Sequence, residues 1–273
     1  KVIYTGVRDD LAKKKFTAGK PIVRKPEHIL VIGWSSMGRS VVSELSSYLP
    51  KGSSVHIVAQ NKYVDPAELA SLKFGAVKVS YASVNGDIDE LIAAASAKKY
   101  NEVIILGYRN AISEAEADAQ TMLTMLQMNM LFEAQGNNVE PTRLVAEILD
   151  SRKVELARVA AADDLVVSDN LAALLIAQVS ENPGLAPVFE DLFDAAGAAI
   201  NVKPIEHYAP LGKDIDFAEL VAIARAHGDS AIGYRVASDK TDDGSTGVRL
   251  NPAKTTVFKP AAGDTLVVIG NVE

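Results

Sequence analysis

The 273-residue chain contains no cysteine, which excludes a disulfide framework, a thiolate metal site and a cysteine nucleophile, and fits a reducing compartment. No run of about 18 or more apolar residues occurs, so no segment reads as a membrane-spanning helix. The basic-then-apolar pattern of a secretory leader is missing as well. There is no GxSxG nucleophile elbow and no HExxH pair, and His28, His56, His207 and His227 are scattered, with no carboxylate at catalytic or metal spacing. No period of about 20–50 residues repeats. These absences give the expectation of a soluble chain that is not an enzyme.

What is present is a globular composition, 48% hydrophobic, long enough for one large or two moderate domains. Its charge is uneven. Through Glu27, eight basic residues (Lys1, Arg8, Lys13, Lys14, Lys15, Lys20, Arg24, Lys25) face Asp9, Asp10 and Glu27, giving +5, so the rest carries −12 within a total of −7. So acidic a body makes nucleic acid an unsuitable partner. The basic leader reads either as a solvated linker or as a juxtamembrane segment on the cytoplasmic side. The absence of an initial methionine gives the expectation of a piece of something longer.

Beyond the leader, short β-branched runs alternate with helical periodicity. Strands are expected at His28–Ile32, Ser54–Ala59, Ala76–Tyr81, Glu102–Leu106, Thr142–Ala146 and Leu165–Val167, with helices between them, such as Asp87–Ala95 and Ser151–Ala157. Such alternation specifies a parallel sheet covered on both faces, and so a Rossmann-like, doubly wound α/β lobe over residues 27–170. Residues 171–196, with "ENPG" breaking the periodicity, read as two helices around a turn. Residues 197–273 read as a smaller α+β lobe of short strands and a helix at Phe217–Ala226, with a polar loop at 238–247.

"HILVIGWSSMGRSVVSEL", residues 28–45, has the frame of a dinucleotide fingerprint. Gly33 can make the tight turn and Gly38 can admit close helix packing, but Ser35 stands where backbone must approach a pyrophosphate. The second strand ends in Gln60 rather than an acid that would bond a ribose. Nucleotide binding is therefore disfavoured. The crevice formed by Gly33, Trp34, Ser35, Ser36, Gly38 and Gln60 is the candidate small-ligand site, with Trp34 either a packing residue or a lid. Glu114, Glu116 and Asp118 begin a long helix at the carboxyl end of the sheet. They read either as acids placed at a positive helix terminus or as a cation site of hard oxygen ligands, for Ca²⁺ or another cation. That helix also carries Met122, Met125, Met128 and Met130, with Leu123, Leu126 and Leu131, enough apolar surface to pack on the sheet and leave a second face for a partner.

Taken together, "HILVIGWSSMG", "ENPGLAPVFEDLF", "GYRVAS", "RLNP" and "GDTLVVI" in this order resemble the CASTOR/POLLUX ion-channel family and, more broadly, regulator-of-K⁺-conductance (TrkA-like) domains. The resemblance runs from about Leu11 to Gly270. It implies the regulatory gating ring of a cation channel on the cytoplasmic face of a membrane, a homo-oligomer of dimers building a tetrameric or larger ring. A covalently linked pore would lie upstream, and residues 1–26 would follow its last helix. It further implies that the helix pair clasps a neighbouring subunit through Leu174, Leu175, Ile176, Val179, Leu185, Val188, Phe189 and Phe193. A soluble TrkA-like subunit of a separate K⁺ transporter is the main alternative, and an NAD-dependent oxidoreductase a more distant one.

Overall fold

The alternating pattern produces a parallel sheet of six strands. In the computed structural model of the chain, residues 11, 24–75, 77–85, 88–96, 98–135, 142–160, 164–194, 197–240 and 246–271 are described. Most of the basic leader and residues 241–245 of the polar loop lie outside them, as do the expected strand start at 76 and helix start at 87. Contacts divide the chain into two compact units, with the boundary between Ala186 and Pro187.

The first unit runs β1 (His28–Ile32), α1 (Ser36–Tyr48), β2 (Ser54–Gln60), α2 (Pro66–Ser71), β3 (Lys78–Val84), α3 (Ile88–Ala95), β4 (Glu102–Ile105), α4 (Glu114–Gln135) and β5 (Arg143–Ile148). A 3₁₀ turn (Ser151–Lys153) then leads into α5 (Val154–Val159), β6 (Asp164–Val167) and α6 (Ser168–Glu181). The strand order is β3-β2-β1-β4-β5-β6, every pairing parallel, which is the doubly wound, Rossmann-like arrangement. Side chains alternate along β1: Leu30 and Ile32 join a core that includes Met125 and Met128 of α4, while Ile29 and Val31 join one with Val42 of α1. A sheet with two apolar faces needs cover on both, and each such buried aliphatic contributes roughly 1.5–3 kcal/mol. β3 extends three residues past its expected end because β2 pairs with it through Gln60↔Val84, where backbone groups need partners. Asp65 caps α2 by accepting from Ala67 N, with Pro66 at the first helical position.

The second unit, from Pro187, contains nearly all of α7 (Ala186–Phe193), then β7 (Ala199–Pro204), a 3₁₀ turn (Ile205–His207), β8 (Ile215–Asp216), α8 (Phe217–Ala226), β9 (Ser230–Lys240), β10 (Thr246–Leu250), β11 (Val257–Phe258) and β12 (Thr265–Gly270). β10-β9-β12-β7 form one antiparallel sheet, and β11 pairs with β8. α8 packs Phe217, Leu220 and Ala224 against Tyr234, Leu266 and Val268 of the sheet. Asp216 starts the helix by accepting from Glu219 N, and Gly228, at φ +82°, follows its end. On the sheet, Ile200, Val202, Val248 and Leu250 are exposed.

Candidate functional site

Reversal of strand order between β1 and β4 opens a crevice at the carboxyl ends of the strands, where ligands of open α/β sheets bind. A cavity of about 280 Å³ lies there. Gly33 makes the turn out of β1 at φ +83°; its N–H donates to Val58 O at 2.9 Å, and a Cβ on it would collide with the Leu106 carbonyl oxygen. Only glycine fits so close a crossing at that φ.

The apolar wall is Ile32, Leu91, Ile105, Leu106 and Leu123, and the polar wall includes Gln60, Lys62, Tyr63, Tyr108, Gln120, Thr121 and Thr124. Two tyrosines stiffen it. Tyr108 Oη accepts from Gln60 N at 3.1 Å, Tyr63 Oη accepts from Gln120 Nε2 at 2.9 Å, and the two rings lie 4.6 Å apart. Burial pushes the Tyr108 hydroxyl up to about 12, so it stays protonated. The Lys62 ammonium sits 4.7 Å from the centre of the Tyr63 ring. Among the described lining residues one cation, amides and hydroxyls occur without a carboxylate. The wall is suited to a small ligand with an apolar body and hydrogen-bond-accepting or anionic groups.

Of the six residues expected in the crevice, Gly33 and Gln60 line this cavity; Trp34, Ser35, Ser36 and Gly38 do not. Trp34 is buried in the core on the α1 side of the sheet, and a Cβ on Gly38 would come within 2.7 Å of its ring. Gly38 thus serves the packing of α1. Ser35 occupies the N-cap position of α1 without a side-chain capping bond, and Ser36 is exposed.

The acidic trio does not converge. Glu114 and Glu116 are exposed on the first turn of α4, where residues two apart point to different sides of a helix. Asp118 is fully buried and turned to the end of β5, accepting from Leu149 N (2.8 Å), Asp150 N (3.1 Å) and Lys153 Nζ (3.2 Å). No group of three His, Cys, Asp or Glu among the described residues could hold a metal ion. The expected cation site is corrected accordingly: two acids sit at a helix terminus and the third closes a structural network.

The expected interface residues lie on two helices with no buried residue, α6 and α7, and on the turn between them. Leu174, Ile176, Val188 and Phe193 are exposed, while Leu175, Val179, Leu185 and Phe189 are half-buried. The rings of Phe189 and Phe193 stack at 6.0 Å. On α4, Met125 and Met128 pack inward, whereas Leu123, Leu126 and Met130 are exposed.

Two buried ionic networks have no counterpart among the sequence expectations. Glu147 on β5 accepts from Gly107 N, Arg109 and Ser168. In the second unit, Asp229 accepts from Lys203 Nζ (3.1 Å to both oxygens) and from Tyr208 Oη (2.6 Å). The available signal for the first is a glutamate inside the otherwise apolar stretch "LVAEI"; the second joins residues with no informative spacing.

Fold and crevice define a Rossmann-like α/β module with a switch-point pocket, followed by an α+β unit. No family model matches the chain. Among curated proteins it is similar to ion channels of the CASTOR/POLLUX group. It is 23% identical to the ion channel CASTOR of Lotus japonicus over 282 residues, covering 92% of this chain and 32% of that protein. The ion channel POLLUX of Lotus japonicus is 23% identical, over 90% of this chain and 30% of that protein. The probable ion channel SYM8 of Pisum sativum is likewise 23% identical, covering 91% and 31%. The chain thus spans about a third of the length of the curated relatives it matches. Solved structures with some likeness include the GsuK RCK domain (TM-score 0.38, 19% identity, 90% of this chain and 44% of that one). The GsuK channel bound to NAD has a TM-score of 0.41 at 18% identity, over 92% of this chain and 37% of that one.

Proposed function

We propose that this chain is the regulatory module of a cation channel, acting on the cytoplasmic face of the membrane as part of a homo-oligomeric gating ring. The observation that carries this reading is the similarity to CASTOR/POLLUX channels, which runs over about nine-tenths of the chain rather than one motif. A ligand in the crevice acts by binding one arrangement of the ring more tightly than another; equal affinity for both would shift nothing. The exposed apolar residues of α6 and α7 supply the clasp to a neighbouring subunit, and Leu126 and Met130 of α4, which lie outside the crevice lining, supply a second contact. No helix among the described residues is long and apolar enough to cross a membrane, so in this reading the pore lies in other parts of the protein. Reconstitution of the complete gene product into cation-loaded vesicles tests the reading. Cation efflux, together with dimers or larger rings of the chain by light scattering, supports it; no efflux under any condition, or a chain that remains monomeric at high micromolar concentration, overturns it.

A further inference from the structure

Tyr108 and Arg109 are adjacent in the chain but engage different partners. Tyr108 lines the crevice and is fixed there by the Gln60 N–H. Arg109 reaches Glu147: its Nε lies 2.9 Å and its Nη2 2.8 Å from Glu147 Oε1. Gly107 N donates to Glu147 Oε2 at 3.2 Å, so one carboxylate holds this loop from both sides of Tyr108. Asn110, next along, adopts φ +66°, an uncommon conformation for a residue with a side chain. Glu147 is 3% exposed, directly after the apolar run Leu144–Ala146 of β5, and a carboxylate so buried depends on each of its donors.

A further donor is Ser168, whose Oγ lies 2.8 Å from Glu147 Oε1. Ser168 is the first residue of α6, and the N-cap position before it is Val167, which has no side-chain oxygen to offer the first turn. Along its 14 residues α6 buries none. With no buried face to fix it, the direction of the helix depends on how its first turn is attached.

We infer that Glu147 is a mechanical joint between crevice and helix: its carboxylate binds the loop that walls the cavity and the first residue of α6, so that displacement of Tyr108 re-aims α6. The inference rests on the crevice being the sensing site. A ligand that moves Tyr108 moves Gly107 and Arg109 with it, and Glu147 must then follow, or break its bonds to them or to Ser168. Either outcome alters the start of α6 and, through it, the apolar surface of Leu174 and Ile176.

The absence of native cysteine permits a clean test in the 273-residue chain. Leu123 lines the crevice and is 46% exposed, so Leu123→Cys can be labelled with benzyl methanethiosulfonate to occupy the cavity, and the label removed with a reductant. Hydrogen exchange of the amides of residues 172–181 is the readout. Labelling is expected to change their exchange about five-fold or more, reversibly, at the lower end of ordinary allosteric coupling. With Ser168→Ala added the change falls below about two-fold, and with Ser168→Thr, which keeps the hydroxyl, it returns. An unchanged exchange in the parent, or an equal response with Ser168→Ala, overturns the joint. Glu147→Gln provides a second test where a thermal melt shows it folded, and the serine pair decides otherwise. Failure of the channel reading is seen separately: absence of cation efflux leaves the label-dependent change in α6 intact.

Discussion

Replacing Gly33 by alanine tests whether the glycines of the "GWSSMG" stretch are retained for the fold or for a ligand. Gly33 sits at φ +83°, and its added Cβ would meet the Leu106 carbonyl oxygen, part of the backbone beside β4. Holding an L-residue in the left-handed region costs about 1–2 kcal/mol. Displacing a packed strand end adds about 1–3 kcal/mol. The expected loss is therefore about 2–5 kcal/mol, or roughly 5–15 °C in the melting temperature of a unit this size. Urea denaturation followed by the fluorescence of Trp34, the only tryptophan and a buried one, reports on this unit directly. Gly38→Ala acts differently, because its Cβ would press on the Trp34 ring at 2.7–2.9 Å; about 1–3 kcal/mol is lost, and Trp34→Phe recovers part of it by circular dichroism. Trp34→Phe recovers nothing for Gly33→Ala. A Gly33→Ala chain within about 0.5 kcal/mol of the parent would refute the reasoning, since surface-like substitutions fall in that range.

Asp229→Asn leaves the Lys203 ammonium, 10% exposed, without its carboxylate, and should destabilise the second unit by about 3–5 kcal/mol in a denaturant melt. Lys203→Met with Asp229→Leu should lose much less than the single change. Burial, and then the charge of Lys98, hold the His56 imidazole below its ordinary 6.5. The unfolded chain therefore takes up that proton first, so this contribution to stability is complete above about pH 6.5 and is lost as the pH falls through the folded value. Melts between pH 8 and 5 should show a limb that disappears in His56→Gln, with the imidazole titration followed by NMR. Leu174→Ser with Ile176→Ser, both exposed, should leave the melt within about 0.5 kcal/mol but weaken self-association at least ten-fold, about 1.4 kcal/mol, by sedimentation.

The parallel lobe is legible because its strands are short aliphatic runs bounded by turn residues: β1 is expected, and found, at His28–Ile32, and α8 likewise at Phe217–Ala226. Strand ends are less legible, since β3 is lengthened by the demands of β2 rather than by its own residues. In the crevice, the fingerprint frame locates Gly33 and Gln60 but draws in Trp34, Ser35, Ser36 and Gly38, which follow in sequence yet lie outside the cavity, Trp34 and Gly38 serving the α1 side of the sheet. Tyr63, Tyr108 and Gln120 come from other loops and helices and share no motif with the glycines; only the closing of the sheet brings them to the same cavity. Asp118 looks like a companion of Glu114 and Glu116 because composition does not reveal which side of a helix meets β5. The two helices α6 and α7 are legible because Pro183 and Gly184 break the helical periodicity, whereas the expected contact residues on them come from the family resemblance and not from their own spacing.

The most direct test of ligand-controlled gating is the cation current carried by the complete gene product in a planar bilayer. The Leu123→Cys variant is recorded while its crevice thiol is labelled with benzyl methanethiosulfonate and then released by reductant. The account predicts a current whose open probability changes several-fold on labelling and recovers on release. A current indifferent to an occupied crevice, or no current at all, would contradict it.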